Sequence, residues 1–373
     1  MVAYKNGSSI VYYHSVDWNG LQGRQQYLMA EMARYYNVIY LDGGRDGAFK
    51  ITLFQPLPGV TVIRGLVSIL NALRRRRLNW LAGLLGRFVV SRHKKGKAKV
   101  VFWNTEVHDR PYRFIPHNYL IYDCIDPPFD RTQSVVESHY HSQEIILKEA
   151  DIILATAETL QQECSRAGKP VYLINNACAP QDYDVAEESL VCPSWWPKTS
   201  LPVAAYLGSI DWRFDFEFAS EAVKQNPQVF FVLAGNILPF WKDQVAELSK
   251  QPNVVFPGKI SLEDGQYLLH KCNVGLICFT PGEMNDAINP VKLYAYTYLG
   301  KPIVGTAVRE LLIRPDEVLT AETPAQFAAL IPKAISLTQD SQYTEHLKKF
   351  AQANTWAHRA REAHQLIQEH CPG

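Results

Sequence analysis

The chain contains no Cys-x-x-Cys pair, no low-complexity tract, no internal repeat and no apolar run of the roughly 20 residues that spanning a bilayer requires. Each absence excludes something. Its cysteines (Cys124, Cys164, Cys178, Cys192, Cys272, Cys278 and Cys371) are scattered and odd in number, which argues against a closed disulfide framework, and no neighbouring Cys or His gives zinc-site spacing. Net charge is nearly absent too, at +1, so overall charge predicts no nucleic-acid partner. Met1 to Ser8 runs straight into a strand pattern with no leader visible, and the expectation is a cytoplasmic protein that binds no metal and no cofactor.

What is present is a repeated alternation of buried strands and amphipathic helices. Apolar β-rich runs at 9–13, 38–41, 60–63, 99–103, 120–122, 152–154 and 171–174 are separated by helical patterns at 22–35, 135–149 and 158–168. Periodicity fails from about Asp184 to Leu201, where Glu187, Glu188, Pro193, Trp195, Trp196 and Pro197 read as a linker. It resumes with strands at 203–207, 229–234, 254–256, 274–278 and 302–304, and helices at 216–224, 239–250, 262–271 and 292–299. At 373 residues the chain exceeds one ordinary core. The expected fold class is therefore α/β, with two tandem Rossmann-like domains facing a central cleft. Their expected bounds are 1–190 and 198–345, and 346–373 is expected as a helix packing across the junction.

The most informative stretch runs Asn285-Asp-Ala-Ile-Asn-Pro-Val-Lys-Leu-Tyr-Ala-Tyr-Thr-Tyr-Leu-Gly-Lys-Pro-Ile-Val-Gly-Thr306. A loop with Asn289 and Pro290 opens a helix at Val291, and Lys292 adds a cation to the unpaired N–H groups of that helix start, which makes an anion cradle. Upstream, Ala205-Tyr-Leu-Gly-Ser-Ile-Asp-Trp-Arg213 ends a strand at Gly208 and Ser209, where backbone can approach a phosphate and Arg213 can fork onto it. Phe231-Val-Leu-Ala-Gly235 and Asn253-Val-Val-Phe-Pro-Gly258-Lys259 follow in order.

The 285–306 stretch resembles the donor-phosphate motif of GT-B glycosyltransferases, and the order of the four segments matches a GT-B donor domain. The likeness extends to Val171-Tyr-Leu-Ile-Asn-Asn-Ala177, Tyr122-Asp-Cys-Ile-Asp126, Ser15-Val-Asp-Trp-Asn19 and Asn354-Thr-Trp356, and it is nearest to bacterial cell-surface polysaccharide transferases of the teichuronic-acid type. It implies a nucleotide diphosphate sugar as donor and a glycan or polyprenol-linked acceptor. It also implies backbone at Gly258 and Lys259 holding the base, Phe279 stacking on it, and the Val291–Lys292 turn binding the diphosphate. An aromatic just after a buried strand is equally a core residue. Retaining relatives keep two Glu residues where this chain has Ala287 and Ala295, so their ribose clamp does not carry over. The pattern is partly similar to the inverting glucuronosyltransferase of xanthan assembly.

An inverting transfer needs one carboxylate to take the acceptor's proton. Asp126 follows a strand, precedes Pro127 and Pro128, and matches the base of the xanthan enzyme; Asp123 is a weaker candidate, and Asp123, Asp126 or Asp130 can each merely cap a turn. His14, Asp17, Asn19, Gly20 and Arg24 form a polar loop expected to contact acceptor or pyrophosphate. His108 and His117 carry no usable pattern. Between Arg74 and Lys99 there is no acidic residue, and Arg74, Arg75, Arg76, Arg77, Arg87, Arg92, Lys94, Lys95 and Lys97 bracket the apolar segment Leu78–Val90. That pattern fits either a solvated face or an interfacial helix on anionic lipid, and the second is expected here, placing the protein peripherally on the cytoplasmic face. Alternatives to a transferase are a nucleotide-sugar epimerase of the same fold and a non-catalytic partner subunit.

Overall fold

A computed structural model describes residues 8–20, 22–43, 50–94, 99–127 and 137–371. Asp130, Pro128, Lys95 and Lys97 lie outside the described residues, as does the start of the helix expected at 135. The chain divides into two compact units, one comprising 1–176 with 356–373 and the other 177–355.

The first unit begins with β1 (Ser9–His14), α1 (Arg24–Met32), β2 (Asn37–Asp42), β3 (Thr52–Leu57) and β4 (Val60–Arg64). Two basic-ended helices follow, α2 (Leu66–Arg75) and α3 (Asn79–His93), then β5 (Val100–Asn104), β6 (Tyr119–Cys124) and α4 (Glu137–Glu149). It continues with β7 (Ile152–Ala155), α5 (Glu158–Ser165) and β8 (Val171–Leu173). The eight strands lie in the order β3-β4-β2-β1-β5-β6-β7-β8, parallel except that β3 runs against β4. Strands buried on both faces need continuous apolar sequence, and β2 and β5 are buried at every residue. β3 is mostly exposed and carries Pro56, which an edge strand tolerates because no ladder donor is needed on its outer side.

The second unit contains β9 (Val203–Leu207), α6 (Phe216–Gln225), β10 (Phe230–Ala234), α7 (Lys242–Leu248), β11 (Val254–Gly258) and α8 (Leu262–Lys271). Next come β12 (Val274–Ile277), α9 (Glu283–Asp286), α10 (Val291–Tyr298), β13 (Ile303–Thr306), α11 (Arg309–Leu312) and β14 (Val318–Ala321). It closes with α12 (Pro324–Leu337) and α13 (Ser341–Ala353), after which α14 (Trp356–His370) returns to the first unit. The order β11-β10-β9-β12-β13-β14 is that of a doubly wound sheet, with its switch between β9 and β12. In the first sheet the corresponding switch lies between β1 and β5.

Two expected boundaries are corrected. Residues 177–200 belong to the second unit, because their polar groups are satisfied there: Gln266 donates to the Asp182 carbonyl at 2.7 Å, Trp195 Nε1 to Asp264 at 3.0 Å, and Lys271 pairs with Glu187 at 2.8 Å. The final helical stretch is two helices rather than one, broken at Asn354 and Thr355. α13 packs with α10, while α14 packs with α1, where Trp356 stacks on Tyr27 and Tyr36 bonds His364 at 2.8 Å.

Candidate active site

The switch point of the second sheet brings together Gly208, Gly235 and Lys292, which the sequence analysis expects on the donor side. Gly208, Gly235 and Gly258 stand in a row at the carboxyl ends of β9, β10 and β11, joined by Gly208 N–H to the Ala234 carbonyl (2.9 Å) and Gly235 N–H to the Gly258 carbonyl (2.8 Å). A Cβ on Gly235 would lie 1.8 Å from the Gly208 oxygen, and its φ of 151° is in any case strained for other residues. A Cβ on Gly208 would lie 2.7 Å from Lys292 Nζ. The lysine thus rests directly against the glycine turn.

Lys292 is half-buried in the first turn of α10, whose N-cap is Pro290 with no side-chain cap. Its ammonium lies 3.8 Å from the Tyr206 ring centroid and 4.9 Å from that of Phe279. Ring faces attract a cation, but burial removes its water, and with the Arg213 guanidinium nearby the Lys292 pKa is pushed down to about 7. An anion placed against Gly208 would restore the charge. The turn itself is rigid: Tyr206 Oη donates to the Ser209 carbonyl (2.9 Å), Trp241 Nε1 to the Asp211 carbonyl (2.8 Å), and Phe214 bridges Phe279 across the β9–β12 switch.

Several expected contacts are corrected here. Phe279 is only 5% exposed and packs in the core with Lys292 over it, so it has no free face for a base. Asn289 does not open the helix toward solvent; it is buried, donating to Glu310 at 2.6 Å and accepting from Tyr294 Oη at 3.0 Å. Glu310 in turn holds Arg314 at 3.2 Å, so a polar network braces the loop before α10 from below. Arg213 engages Asp211 through Nε at 3.0 Å. Lys259 and Val291 are exposed.

On the first unit, Asp126 is exposed just past the carboxyl end of β6. Asp123 is not available as a base: it is fully buried and accepts two hydrogen bonds from Arg24 (3.0 and 3.3 Å) and one from Trp103 Nε1 (3.2 Å). Arg24 is corrected by the same observation. A cation at a helix start needs an anion, and here the anion is Asp123, with the Asn175 carbonyl at 3.2 Å and the Trp356 ring beside it. Asp17 pairs with Arg64, which also binds buried Asp42 at 2.9 Å, and Asp17 accepts the Asn19 and Gly20 N–H groups through its side chain and carbonyl.

His14, at the end of β1, meets a residue the sequence reading passed over. Its Nδ1 lies 2.7 Å from Thr105 Oγ1 and 3.2 Å from Glu106 Oε1, and Glu106 also accepts the Ser15 N–H at 3.0 Å. Burial pushes the Glu106 carboxyl up, but the bonds from His14 and Ser15 outweigh it and hold it down at about 2. The positional logic that marks Asp126, a carboxylate just past a strand, also marks Glu106 after β5.

No family model matches the chain. The chain is 25% identical over 255 residues to the putative teichuronic acid biosynthesis glycosyltransferase TuaH of Bacillus subtilis, covering 64% of each. It thus spans under two thirds of that relative's length. Among solved structures it is similar to sucrose-phosphate synthase from Thermosynechococcus elongatus (TM-score 0.74, 15% identity, 97% of this chain and 98% of that one). It is also similar to HepE of Anabaena in complex with UDP and glucose (TM-score 0.66, 12% identity, 97% and 100%). The likeness to teichuronic-acid-type transferases read from the motifs is borne out, and the chain has the GT-B fold, two parallel-sheet α/β domains.

Proposed function

We propose that the chain is a glycosyltransferase that moves a sugar from a nucleotide diphosphate donor to a glycan or lipid-linked glycan in bacterial surface polysaccharide assembly. One observation carries the donor half: a lysine whose charge is suppressed by burial, set against a glycine turn and a helix N-terminus at the switch point of a doubly wound sheet. A diphosphate there is stabilised by Lys292, Arg213 and the α10 N–H groups, so the leaving group is neutralised by protein charge and no metal is invoked. The TuaH likeness and the UDP bound in HepE support the same reading. Epimerase chemistry is not favoured, since the relative and the structural neighbours named above transfer or bind sugars as transferases and synthases.

Asp126 is the proposed base of an inverting hexosyl transfer, supported by its exposure beside a carboxyl sheet edge. Membrane contact is proposed through Arg74–Arg77 together with α3. On that helix Trp80, Leu84 and Phe88 form one exposed stripe, while Gly86 is pressed so close to the Phe114 carbonyl that the opposite face is fixed inward. Among the described residues no helix is long and apolar enough to cross a membrane, so contact is read as peripheral. A calorimetric screen of nucleoside diphosphates and their sugars tests the whole reading. Binding of one family of donors, followed by transfer only when an acceptor is added, is expected; binding of none sinks it, and sugar interconversion without acceptor indicates the epimerase.

A further inference from the structure

Between α3 and the 111–118 segment runs a groove of two adjoining hollows, of about 550 and 450 Å³, which share Arg87, Pro116 and His117 in their walls. Hollows of this size hold a ligand. The larger one reaches Val100 and Asn118 at the amino ends of β5 and β6, whereas Asp126 stands past the carboxyl end of β6, so the groove is separate from the edge that carries the proposed base. On α3, Leu84, Arg87, Phe88 and Ser91 recur at helical spacing and line the larger hollow, while Ala82, Gly86 and Val89 are buried on the opposite side of the helix.

The larger hollow is lined by cations and by no acid. Arg87 is exposed and Lys94 half-buried, and neither has an ion pair among the described residues. Asn118 Oδ1 already accepts the Val100 N–H at 2.9 Å, so its amide nitrogen is left to donate. Ser91 Oγ gives its hydrogen to the Phe88 carbonyl at 3.0 Å, and His117 Nδ1 donates to the Ile115 carbonyl at 2.9 Å. The carbonyl end of α3 by itself disfavours an anion, but its last turn carries Arg92 and His93 ahead of Lys94, with Arg92 over the Phe88 ring at 4.8 Å. In the smaller hollow Glu149 is engaged: it accepts from Tyr112 Oη at 2.6 Å and pairs with Arg113, with the Arg110 charge close by, and Asp151, two residues on, accepts the Leu120 N–H at 2.7 Å.

A free phosphate would use these donors and leave Leu84 and Phe88, 55% and 56% exposed, in water. An anion that carries its own hydrocarbon covers both. Resting on the membrane contact proposed above, we propose that the groove takes the headgroup of one anionic phospholipid, with Arg87, Lys94 and Asn118 on its phosphate and the first methylenes of a chain against Leu84 and Phe88. Contact through Arg74, Arg75, Arg76 and Arg77 is then diffuse, and this site selects the lipid.

Short-chain lipids below their micelle concentration separate the groove from the surface, because a dissolved monomer presents no charged plane. Calorimetry of the full-length protein with dihexanoyl phosphatidylglycerol should show saturable one-to-one binding, with dihexanoyl phosphatidylcholine and inorganic phosphate each weaker by about tenfold or more. Arg87→Gln and Lys94→Gln should each weaken the phosphatidylglycerol about tenfold, as loss of a charge-assisted bond implies, whereas replacing Arg74, Arg75, Arg76 and Arg77 by Gln should change it by less than about threefold. Phe88→Ala should weaken the lipid and leave phosphate unchanged. These side chains are surface residues, and unaltered thermal melts confirm that the variants fold.

Inorganic phosphate that binds as tightly as the lipid makes this a free-anion site and overturns the proposal, and phosphatidylcholine that binds as tightly overturns its ionic basis. Absent or unsaturable phosphatidylglycerol binding overturns it, as does full binding in folded Arg87→Gln and Lys94→Gln proteins. Vesicles of mixed phosphatidylglycerol and phosphatidylcholine tell the two readings apart. Vesicle binding without monomer binding leaves the surface contact and removes the groove; failure of both removes the membrane reading too. Monomer binding without vesicle binding also overturns the proposal, because the site would then be out of reach of a bilayer.

Discussion

The ammonium of Lys292 sits 3.8 Å from the centre of the Tyr206 ring and within contact of the Gly208 turn, held by an aromatic face instead of a carboxylate. Among the described residues no ion pair of this ammonium has to be displaced before an anion can bind. Lys292→Ala should therefore weaken nucleoside diphosphate binding by roughly 1.5–3 kcal/mol while leaving the fold intact, because a charge-assisted bond is lost and only a surface of two rings is uncovered. Unchanged calorimetric affinity would remove this lysine from the site.

The same lysine predicts a pH dependence with a definite sign. Its pKa of about 7 in the free protein means that the ring-held amine is largely neutral at pH 8, whereas a bound diphosphate favours the charged form. Binding should take up a proton above pH 7, and affinity should fall with rising pH by at most about tenfold per unit. Calorimetry at pH 8 in buffers of different ionisation enthalpy measures that uptake; flat affinity from pH 6.5 to 9 would refute it. Without ligand, the unfolded chain binds more protons than the folded one between about 7 and the ordinary lysine value of 10.5, so this residue's contribution to stability rises with pH across that window.

Two neighbouring glycines should respond differently to the same substitution. In Gly235→Ala the new methyl meets backbone at 1.8 Å, which cannot yield, and destabilisation on the order of 3 kcal/mol is expected. In Gly208→Ala it meets the far end of a flexible lysine at 2.7 Å, so the protein should fold with a near-normal Tm and lose diphosphate affinity as the amine is pushed aside. Thermal melts and donor calorimetry on both variants check the contrast; equal melting losses would contradict it.

Asp126→Asn should lower kcat by about 10²–10⁴ with donor affinity preserved, since the amide keeps shape but cannot take a proton. Asn caps turns nearly as well as Asp, so a purely structural role leaves turnover near normal. Full activity in this variant would remove the main support for inversion.

Vesicles of anionic lipid should bind the protein and release it as salt rises, because each basic residue near such a surface contributes about 1 kcal/mol and is screened. Replacing Arg74, Arg75, Arg76 and Arg77 by Gln should abolish salt-sensitive binding, and Trp80→Ala should weaken what remains. Equal binding to neutral vesicles would sink the electrostatic account.

Much of the architecture was legible because parallel strands covered on both faces write themselves as uninterrupted apolar runs. Strand β2 and strand β9 are cases in point. β3 was missed for the complementary reason: as an exposed edge strand with Pro56 it has neither the run nor the composition. The clustering of Gly208, Gly235 and Lys292 was readable, because backbone demands and charge are local properties of sequence. The surroundings of Asn289, Arg24 and Asp17 were not readable, because their partners Glu310, Asp123 and Arg64 are distant in the chain. Charge type gives a residue's valence; only tertiary structure says whether that valence is already filled from within.

The return of α14 to the first unit has a consequence for synthesis. Trp356 covers Tyr27, His364 stacks on Tyr35 at 4.3 Å, and His370 reaches Tyr172, so this side of the first unit is closed by residues translated after the whole of the second. On the ribosome the earlier-made unit waits, its α1 surface uncovered, while 177–355 emerge and can complete a contiguous domain of their own. Order of translation and order of completion are thereby inverted, and for that interval the nascent chain carries a sticky aromatic face that a chaperone, or another nascent copy, would find before α14 does.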